Sequence, residues 1–485
     1  MPASHRLGPR ALTGLLPDLA ELASPRYRSI ADAIAALLLD GRIPPGAALP
    51  SERSLANALG VSRSTTTAVY HQLATDGLLL RRRGSGSQLR LPPGTTVSGP
   101  GTRIRRGGAA VLDLSIAASP GVPAELPPAV AWAAEALAGY HDEIGYQPYG
   151  IRPLRELIAG RYTERGVPTS AEQILVTNGA QHAFDLILRL MLHPGDRVLT
   201  ELPTYPGALD AIRSHGGRVL AVPFATDGGW DLPALAGTFV QSSPRLAMLI
   251  PDFNNPTGRL IGTEQRAAAL SAARRSGSTV VVDESFVDLD LRDPAGSVTP
   301  APMSALDPGV FSIGSVSKPI WAGVRIGWIR ADADTVSRLA VVRARSDMGG
   351  SLLDQLTVLR LLSNYQPILD RRRAELRERR AALLSALATE LPAWQATRPD
   401  GGLSTWVRLD APAATALTHL LEQRGILITP GSRFTVDASL ERYLRIPFAL
   451  PAELLVEAVG RLAQAWSDLD QHRVRRPESR ALVPA

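Results

Sequence analysis

Lys318 is the only lysine in a chain of 485 residues that carries 51 arginines. A guanidinium stays protonated, whereas an ammonium can lose its proton and attack a carbonyl carbon to form a Schiff base. One position in an otherwise arginine-writing sequence therefore suits covalent chemistry, unless it is an isolated lysine without consequence. Its surroundings read Ser315-Val316-Ser317-Lys318-Pro319-Ile320-Trp321-Ala322-Gly323-Val324-Arg325, where two hydroxyls and a fixed cation could hold an anion. Asp283 closes the run Thr279-Val280-Val281-Val282; a carboxylate there can hold a ring nitrogen protonated and make the ring an electron sink. Asn255, within Asn254-Asn255-Pro256-Thr257-Gly258, offers an amide to a phenolic oxygen. Asn178-Gly179-Ala180-Gln181 opens a helix whose first N–H groups suit a phosphate. Tyr205, in Pro203-Thr204-Tyr205-Pro206-Gly207, presents a face for stacking. Singly, each has a plain structural reading: Asn-Pro-Thr-Gly is a common turn, and Asp283 could cap or pair. Gathered in one order around the only lysine, they argue for one site.

The elements that must position them are short apolar runs separated by helical stretches. Ile174 to Thr177, Arg197 to Thr200, Arg218 to Val222, Leu246 to Ile250, Thr279 to Val282, Val310 to Ile313 and Ile326 to Ile329 predict an α/β domain with a mostly parallel sheet. Ligands in such sheets sit beyond the strand ends, where the residues above fall.

This set resembles the fold-type I pyridoxal-phosphate enzymes of the aspartate aminotransferase class, over about residues 111–470. The resemblance implies a large domain with a small C-terminal α+β subdomain, pyridoxal 5′-phosphate as cofactor and no metal. It implies Lys318 as the catalytic residue and internal aldimine, Asp283 on the pyridine nitrogen, Asn255 on the phenolic oxygen and Tyr205 on the ring. Gly179, Ala180, Ser315, Ser317 and Arg325 would surround the phosphate. Tyr149, in Tyr146-Gln147-Pro148-Tyr149-Gly150, would reach the phosphate of a neighbouring subunit and so require a homodimer. Arg445 would grip the α-carboxylate of an amino compound; a surface arginine is the plain alternative. One position departs from the class, which usually places a tyrosine two or three residues after the ring aspartate; Ser285 and Phe286 stand there. That leaves Asn255 as the main partner of the phenolic oxygen and leaves efficient transamination open.

The charge lies elsewhere. Residues 1–110 hold 14 arginines against 6 acidic residues, while 111–485 hold 38 basic and 40 acidic ones, so the positive excess is N-terminal. A basic segment of domain size fits a polyanionic partner, or is merely a solvated basic face. Helical spacing from Tyr27 to Leu38, Ser51 and Ser62 as caps, Gly60 and Gly77 as stops, and Leu78 to Arg82 and Ser87 to Leu91 around Gly84-Ser85-Gly86 predict three helices and a hairpin. The third helix opens Arg63-Ser64-Thr65-Thr66-Thr67, a start suited to donors facing a groove. Residues 24–91 resemble the GntR family of winged-helix DNA-binding domains through Leu49-Pro50-Ser51-Glu52-Arg53, Leu59-Gly60-Val61-Ser62-Arg63-Ser64-Thr65, Asp76-Gly77-Leu78 and Gly84-Ser85-Gly86. The resemblance implies that Arg53 and Arg63 contact double-stranded DNA, with Ser64, Thr65 and Gly86 near its backbone. Residues 92–110 read as a flexible basic linker and 471–485 as a tail.

A GntR-like winged helix joined to an aminotransferase-like domain is the architecture of the MocR subfamily of bacterial transcriptional regulators. The expected function is a cofactor-dependent regulator in which an amino compound reacting at Lys318 modulates promoter binding. An active aminotransferase carrying a DNA-binding domain is the alternative, and a relic domain without cofactor the third reading. The chain lacks cysteine, which excludes disulfides and thiolate chemistry. It contains no run of about 18 apolar residues, so a cytoplasmic protein without a membrane segment is expected.

Overall fold

The computed structural model describes residues 7–16, 25–39, 43–82, 86–91, 95–98, 103–106, 112–225, 228–293, 297–437 and 439–474. Near the N-terminus, α1 (Arg26–Leu39), α2 (Glu52–Leu59) and α3 (Arg63–Thr75) pack around Ile30, Ile34, Leu55, Val69 and Leu73. Ser51 Oγ accepts the Ser54 N–H and Ser62 Oγ accepts the Thr65 N–H, each satisfying a first-turn donor of its helix. Gly60 ends α2 in the left-handed conformation at φ 65°, where a Cβ would be strained. Strands β1 (Leu79–Arg82) and β2 (Gly86–Leu89) pair antiparallel as the wing. Gly84 and Ser85 lie outside the described residues.

Within 92–110 the structure differs from irregular linker: β3 (Thr95–Ser98) and β4 (Arg103–Arg106) form a second antiparallel pair. Alternating Thr, Val, Ile and Arg supply the strand propensity that the Pro and Gly content hides. Helix α1 also lies against α7 (Ala414–Gln423) of the C-terminal part, so the N-terminal unit touches the rest of the chain as well as being joined to it.

The seven apolar runs form one seven-stranded sheet: β6 (Ile174–Thr177), β7 (Arg197–Leu202), β8 (Arg218–Pro223), β9 (Leu246–Leu249), β10 (Thr279–Asp283), β11 (Phe311–Ser315) and β12 (Gly327–Arg330). Their spatial order is β6-β12-β11-β10-β9-β7-β8, and all pairs are parallel except the two made by β12. Leu175, Val198, Met248, Val281, Ile313 and Ile329 pack under α4 (Ala180–Met191) and the helix Ala333–Arg343 on one face. On the other, Leu199, Leu249, Val280 and Val282 meet the helices Leu232–Ser242 and Thr263–Ser276. Burial on both faces explains why these strands read as continuous apolar runs rather than alternating ones.

The smaller subdomain is a five-stranded sheet ordered β13-β14-β16-β15-β5, from β5 (Leu112–Leu114), β13 (Gln395–Ala396), β14 (Ser404–Arg408), β15 (Ile426–Pro430) and β16 (Tyr443–Pro447). Long α6 (Tyr365–Glu390) joins the two parts and packs on α8 (Ala452–Val474), which extends into the residues expected to be tail. Trp394 and Trp466 meet edge to face at 5.3 Å behind this sheet. Among the described residues no helix is long and apolar enough to cross a membrane.

Candidate functional site

Strand ends converge where the sequence places the chemistry. Lys318 follows β11 and is only partly covered; its Nζ donates to the Ala117 carbonyl at 2.9 Å and sits 5.6 Å from the Phe286 ring centroid. Removal from water, reinforced by the Arg445 guanidinium and resisted by Asp283, lowers its pKa to about 8. Asp283, at the end of β10, is buried and accepts the Ser285 N–H at 2.8 Å. Burial raises its pKa, while the Ser285 hydrogen bonds and Lys318 pull it back.

Asn255 is buried, and its Oδ1 has no hydrogen-bond partner among the described residues. Turning the amide by 180° puts Nδ2 in that position, the donor an anionic oxygen requires. Asn254 braces the turn instead: its Oδ1 accepts Thr257 N–H at 3.2 Å and Thr257 Oγ1–H at 2.8 Å, and its Nδ2 donates to Glu201 Oε1 at 3.1 Å.

Glu201 was not among the residues singled out from sequence, although an acid inside the apolar strand β7 was the available signal. It is 1% exposed, its Oε1 also accepts the Ile250 N–H at 2.8 Å, and its Oε2 is buried without a partner among the described residues. Burial, only partly offset by these bonds and added to by Asp283, pushes its pKa up to about 8.

The candidate anion cradle is built by close approach. Gly179 caps α4 at φ 93°, and a Cβ there would lie 2.8 Å from Arg325 Nη2. Arg325 Nη2 donates to the Asn178 carbonyl at 2.9 Å, which holds the guanidinium beside the first turn of α4. Ser315 Oγ donates to the Ile326 carbonyl and accepts Ser317 N–H, both at 3.1 Å, with Ser317 Oγ 2.9 Å away. Ala180 opens the helix itself. Tyr205 precedes α5 (Pro206–Ser214), and Gly207 must lack a Cβ because one would come within 2.6 Å of that ring. Burial and Asp283 raise the Tyr205 pKa.

Arg445, on β16, is buried over the Phe434 ring at 5.3 Å, and its Nη2 bonds the Ser115 carbonyl and Thr429 Oγ1. Its Nη2 partner Ser115 lies two residues before Ala117, whose carbonyl accepts from Lys318 Nζ, so both cations hold on to the same segment. Tyr149 is half-buried, with Arg155 5.7 Å over its ring and its carbonyl accepting the Val176 N–H at 2.9 Å, on the strand that leads into Gly179. The donor set therefore fits a phosphorylated aromatic ring with a carbonyl: the chain offers an amine, a buried carboxylate, an amide oxygen without a partner among the described residues, a stacking face and an anion cradle at its strand ends.

In the N-terminal unit Arg53, Arg63, Ser64 and Gly86 are exposed and Thr65 half-exposed. Ser62 Oγ lies 2.7 Å from both Ser64 Oγ and Thr65 Oγ1. Two expected groove-facing threonines are occupied otherwise: Thr66 is buried and donates to the Glu52 carbonyl at 3.0 Å, and Thr67 donates to the Glu52 carboxylate at 2.6 Å. Glu52 also pairs with Arg81 at 3.2 Å, tying the wing to α2.

Residues 109–462 match the family described as aminotransferase class I and II, and residues 26–89 the one described as bacterial regulatory proteins, gntR family. A 2-aminoadipate transaminase of Thermus thermophilus is 34% identical over 350 residues, 70% of this chain and 86% of its own length. An uncharacterized HTH-type transcriptional regulator of Bacillus subtilis, YisV, is 28% identical over 457 residues, 88% of this chain and 92% of its own. Among solved structures, LysN, an alpha-aminoadipate aminotransferase from Thermus thermophilus complexed with N-(5′-phosphopyridoxyl)-L-leucine, superposes with TM-score 0.68 at 30% identity, over 75% of this chain and 94% of that one.

Proposed function

Because the chain belongs to the aminotransferase class I and II family and carries a gntR-family bacterial regulatory domain ahead of it, we propose that it is a pyridoxal-phosphate-dependent transcriptional regulator of the MocR type. It binds promoter DNA as a homodimer, and an amino compound that displaces Lys318 Nζ in the pocket alters that binding. The observation that carries this reading is Lys318: the sole amine side chain of the sequence, with its pKa brought down to about 8, facing a buried carboxylate.

When bound, the cofactor supplies an electrophilic carbonyl carbon and an electron-withdrawing ring. Lys318 Nζ, released more easily from its proton than an ordinary ammonium, would be the nucleophile toward that carbon. Asp283 would hold the proton on the ring nitrogen, the Asn255 amide would donate to the phenolic oxygen, and Tyr205 would cover the ring face. Gly179 and Ala180 N–H groups, the Ser315 and Ser317 hydroxyls and Arg325 would receive the phosphate, and Tyr149 would reach the partner subunit's phosphate. Arg445, fixed by the Ser115 carbonyl and Thr429, orients an α-carboxylate. Arg53, Arg63, Ser64, Thr65 and Gly86 meet the DNA, two winged helices per dimer reading repeated or inverted half-sites.

Lys318→Ala should abolish the visible absorbance of the cofactor-loaded protein and the effect of added amino compounds on DNA binding. An unchanged spectrum in that variant overturns the cofactor assignment. The resemblance to a protein named 2-aminoadipate transaminase favours a second reading, an active aminotransferase with a DNA-binding domain. Steady conversion of an amino acid and an oxo acid into their exchanged partners would favour it over a purely regulatory role.

A further inference from the structure

Away from the candidate cofactor pocket, a cavity of about 860 Å³ opens between α6, the segment Leu291–Asp293 and Arg398. Arg373, Arg377 and Arg380 occupy one face of α6 at spacings of four and three residues and line it together with Arg398. Asp293 lies across from them and Asp370 one turn earlier on α6, so four guanidiniums and two carboxylates line the cavity, with Asp400 acting on Arg380 from beside the turn of Arg398. Like charges are costly to hold together: burial lowers the Arg380 pKa most, Arg398 and Arg377 lower it further, and Asp400 offsets them in part.

Backbone carbonyls hold the heads in place. Arg373 Nε donates to Asp288 O at 2.8 Å, and Arg377 donates through Nε and Nη2 to the carbonyls of Leu291 and Arg292 at 3.3 Å each. Arg380, 7% exposed, donates through Nη1 to Pro399 O at 2.5 Å. Neutral carbonyls orient a guanidinium without cancelling its charge. The cavity thus presents several oriented cations, one of them almost removed from water, in a volume that suits a small molecule.

We propose that this cavity binds a small phosphorylated anion, with phosphoryl oxygens received by Arg377, Arg380 and Arg398, whose planar heads bond such oxygens in pairs. The site is separate from the Lys318 pocket. Its walls come from the large domain, the joining helix and the small subdomain, so an anion there bridges all three. The turn that carries Arg398 also packs against the loop of Asn255, since a Cβ on Gly258 would lie 2.3 Å from Pro399 Cβ. Occupancy therefore touches the turn that holds a candidate cofactor ligand.

The test is calorimetric titration of the full-length, cofactor-loaded protein with pyrophosphate at low and moderate salt. Saturable binding is expected, weakened at least tenfold by the double variant Arg377→Gln with Arg398→Gln and unchanged by Arg218→Gln, an exposed cation elsewhere. The visible spectrum of the double variant should match the wild type, which separates a failure here from a failure of the cofactor reading. The proposal is overturned by absent saturable binding, by equal loss in Arg218→Gln, or by a double variant that weakens only promoter binding, which would assign the arginines to the DNA backbone.

Discussion

Replacing Glu201 by Gln tests whether the loop that carries Asn255 hangs from a neutral acid. In the native chain Glu201 Oε1 accepts from Ile250 N and Asn254 Nδ2, and burial brings its pKa from 4.5 to about 8. At about 1.36 kcal/mol per pKa unit, a shift of that size is worth at most roughly 5 kcal/mol. The folded pKa is the higher one, so between pH 4.5 and 8 the unfolded chain has released a proton that the native chain keeps. Stability from this group is therefore complete below pH 4.5 and is lost as pH rises through about 8. Glutamine keeps the accepting oxygen and cannot ionise. Near pH 4.5 the two proteins should unfold within about 1 kcal/mol of each other, because both accept the same hydrogen bonds. Near pH 8.5 the variant should be the more stable by several kcal/mol.

The assay is urea unfolding of the full chain followed by tryptophan fluorescence, with the difference between variant and wild type taken at each pH so that shared titrations cancel. A difference that stays flat from pH 4.5 to 8.5 refutes the neutral acid. Glu201→Ala separates the proton from the bonds: it strands the Ile250 and Asn254 donors, costing about 1–3 kcal/mol each at every pH.

Three further outcomes follow. Arg63→Ala should weaken promoter binding across sequences and flatten its salt dependence by about one unit of slope, leaving the visible spectrum intact; electrophoretic shifts at several salt concentrations check both. Acetylation of Lys318 in cofactor-free protein, read by mass spectrometry, should rise with pH and level off above about 8 rather than near 10.5, since burial and Arg445 favour the free amine; a midpoint near 10.5 contradicts the pocket geometry. Gly179→Ala at φ 93° would drive a Cβ against Arg325, and should weaken cofactor affinity about tenfold, measured by equilibrium titration, with DNA binding by the winged helix retained.

What sequence could and could not reveal follows from the range of the forces involved. The strands of the large sheet were legible because six of the seven are buried along most of their length and so are dominated by apolar residues, while edge strand β8, only half-covered, still carries Val219, Leu220 and Val222. The caps Ser51 and Ser62 were legible because capping is settled within three residues. The partner of β5 was not: Leu112 pairs with Ile426, and nothing local to either strand encodes that register. Thr66 looked like a groove-facing donor because threonine is polar, but its hydroxyl is satisfied by Glu52 O, and its methyl joins the buried side of α3. The residues nearest Lys318 show the same limit. Asp283 and Asn255 sit at strand ends and could be named, whereas the Ala117 carbonyl that accepts from Nζ belongs to a segment 201 residues away with no side-chain signature.

The charge division gains meaning from the arginine-lined cavity. With 38 basic against 40 acidic residues beyond position 110, the C-terminal segment has no global excess to scatter over its surface. Four arginines and two aspartates lining one recess are therefore a local concentration of positive charge, which Asp400 offsets only in part at Arg380. In the proposed reading, the basic N-terminal segment would attract DNA through exposed arginines such as Arg53 and Arg63, whose field is screened within about 10 Å at 0.1 M salt. Arg380, almost removed from water and anchored to Pro399 O, acts over contact distance and is screened far less. DNA affinity should thus fall steeply with salt while anion binding in the recess falls gently. That difference lets two kinds of phosphate be sensed by one chain without competing for the same arginines.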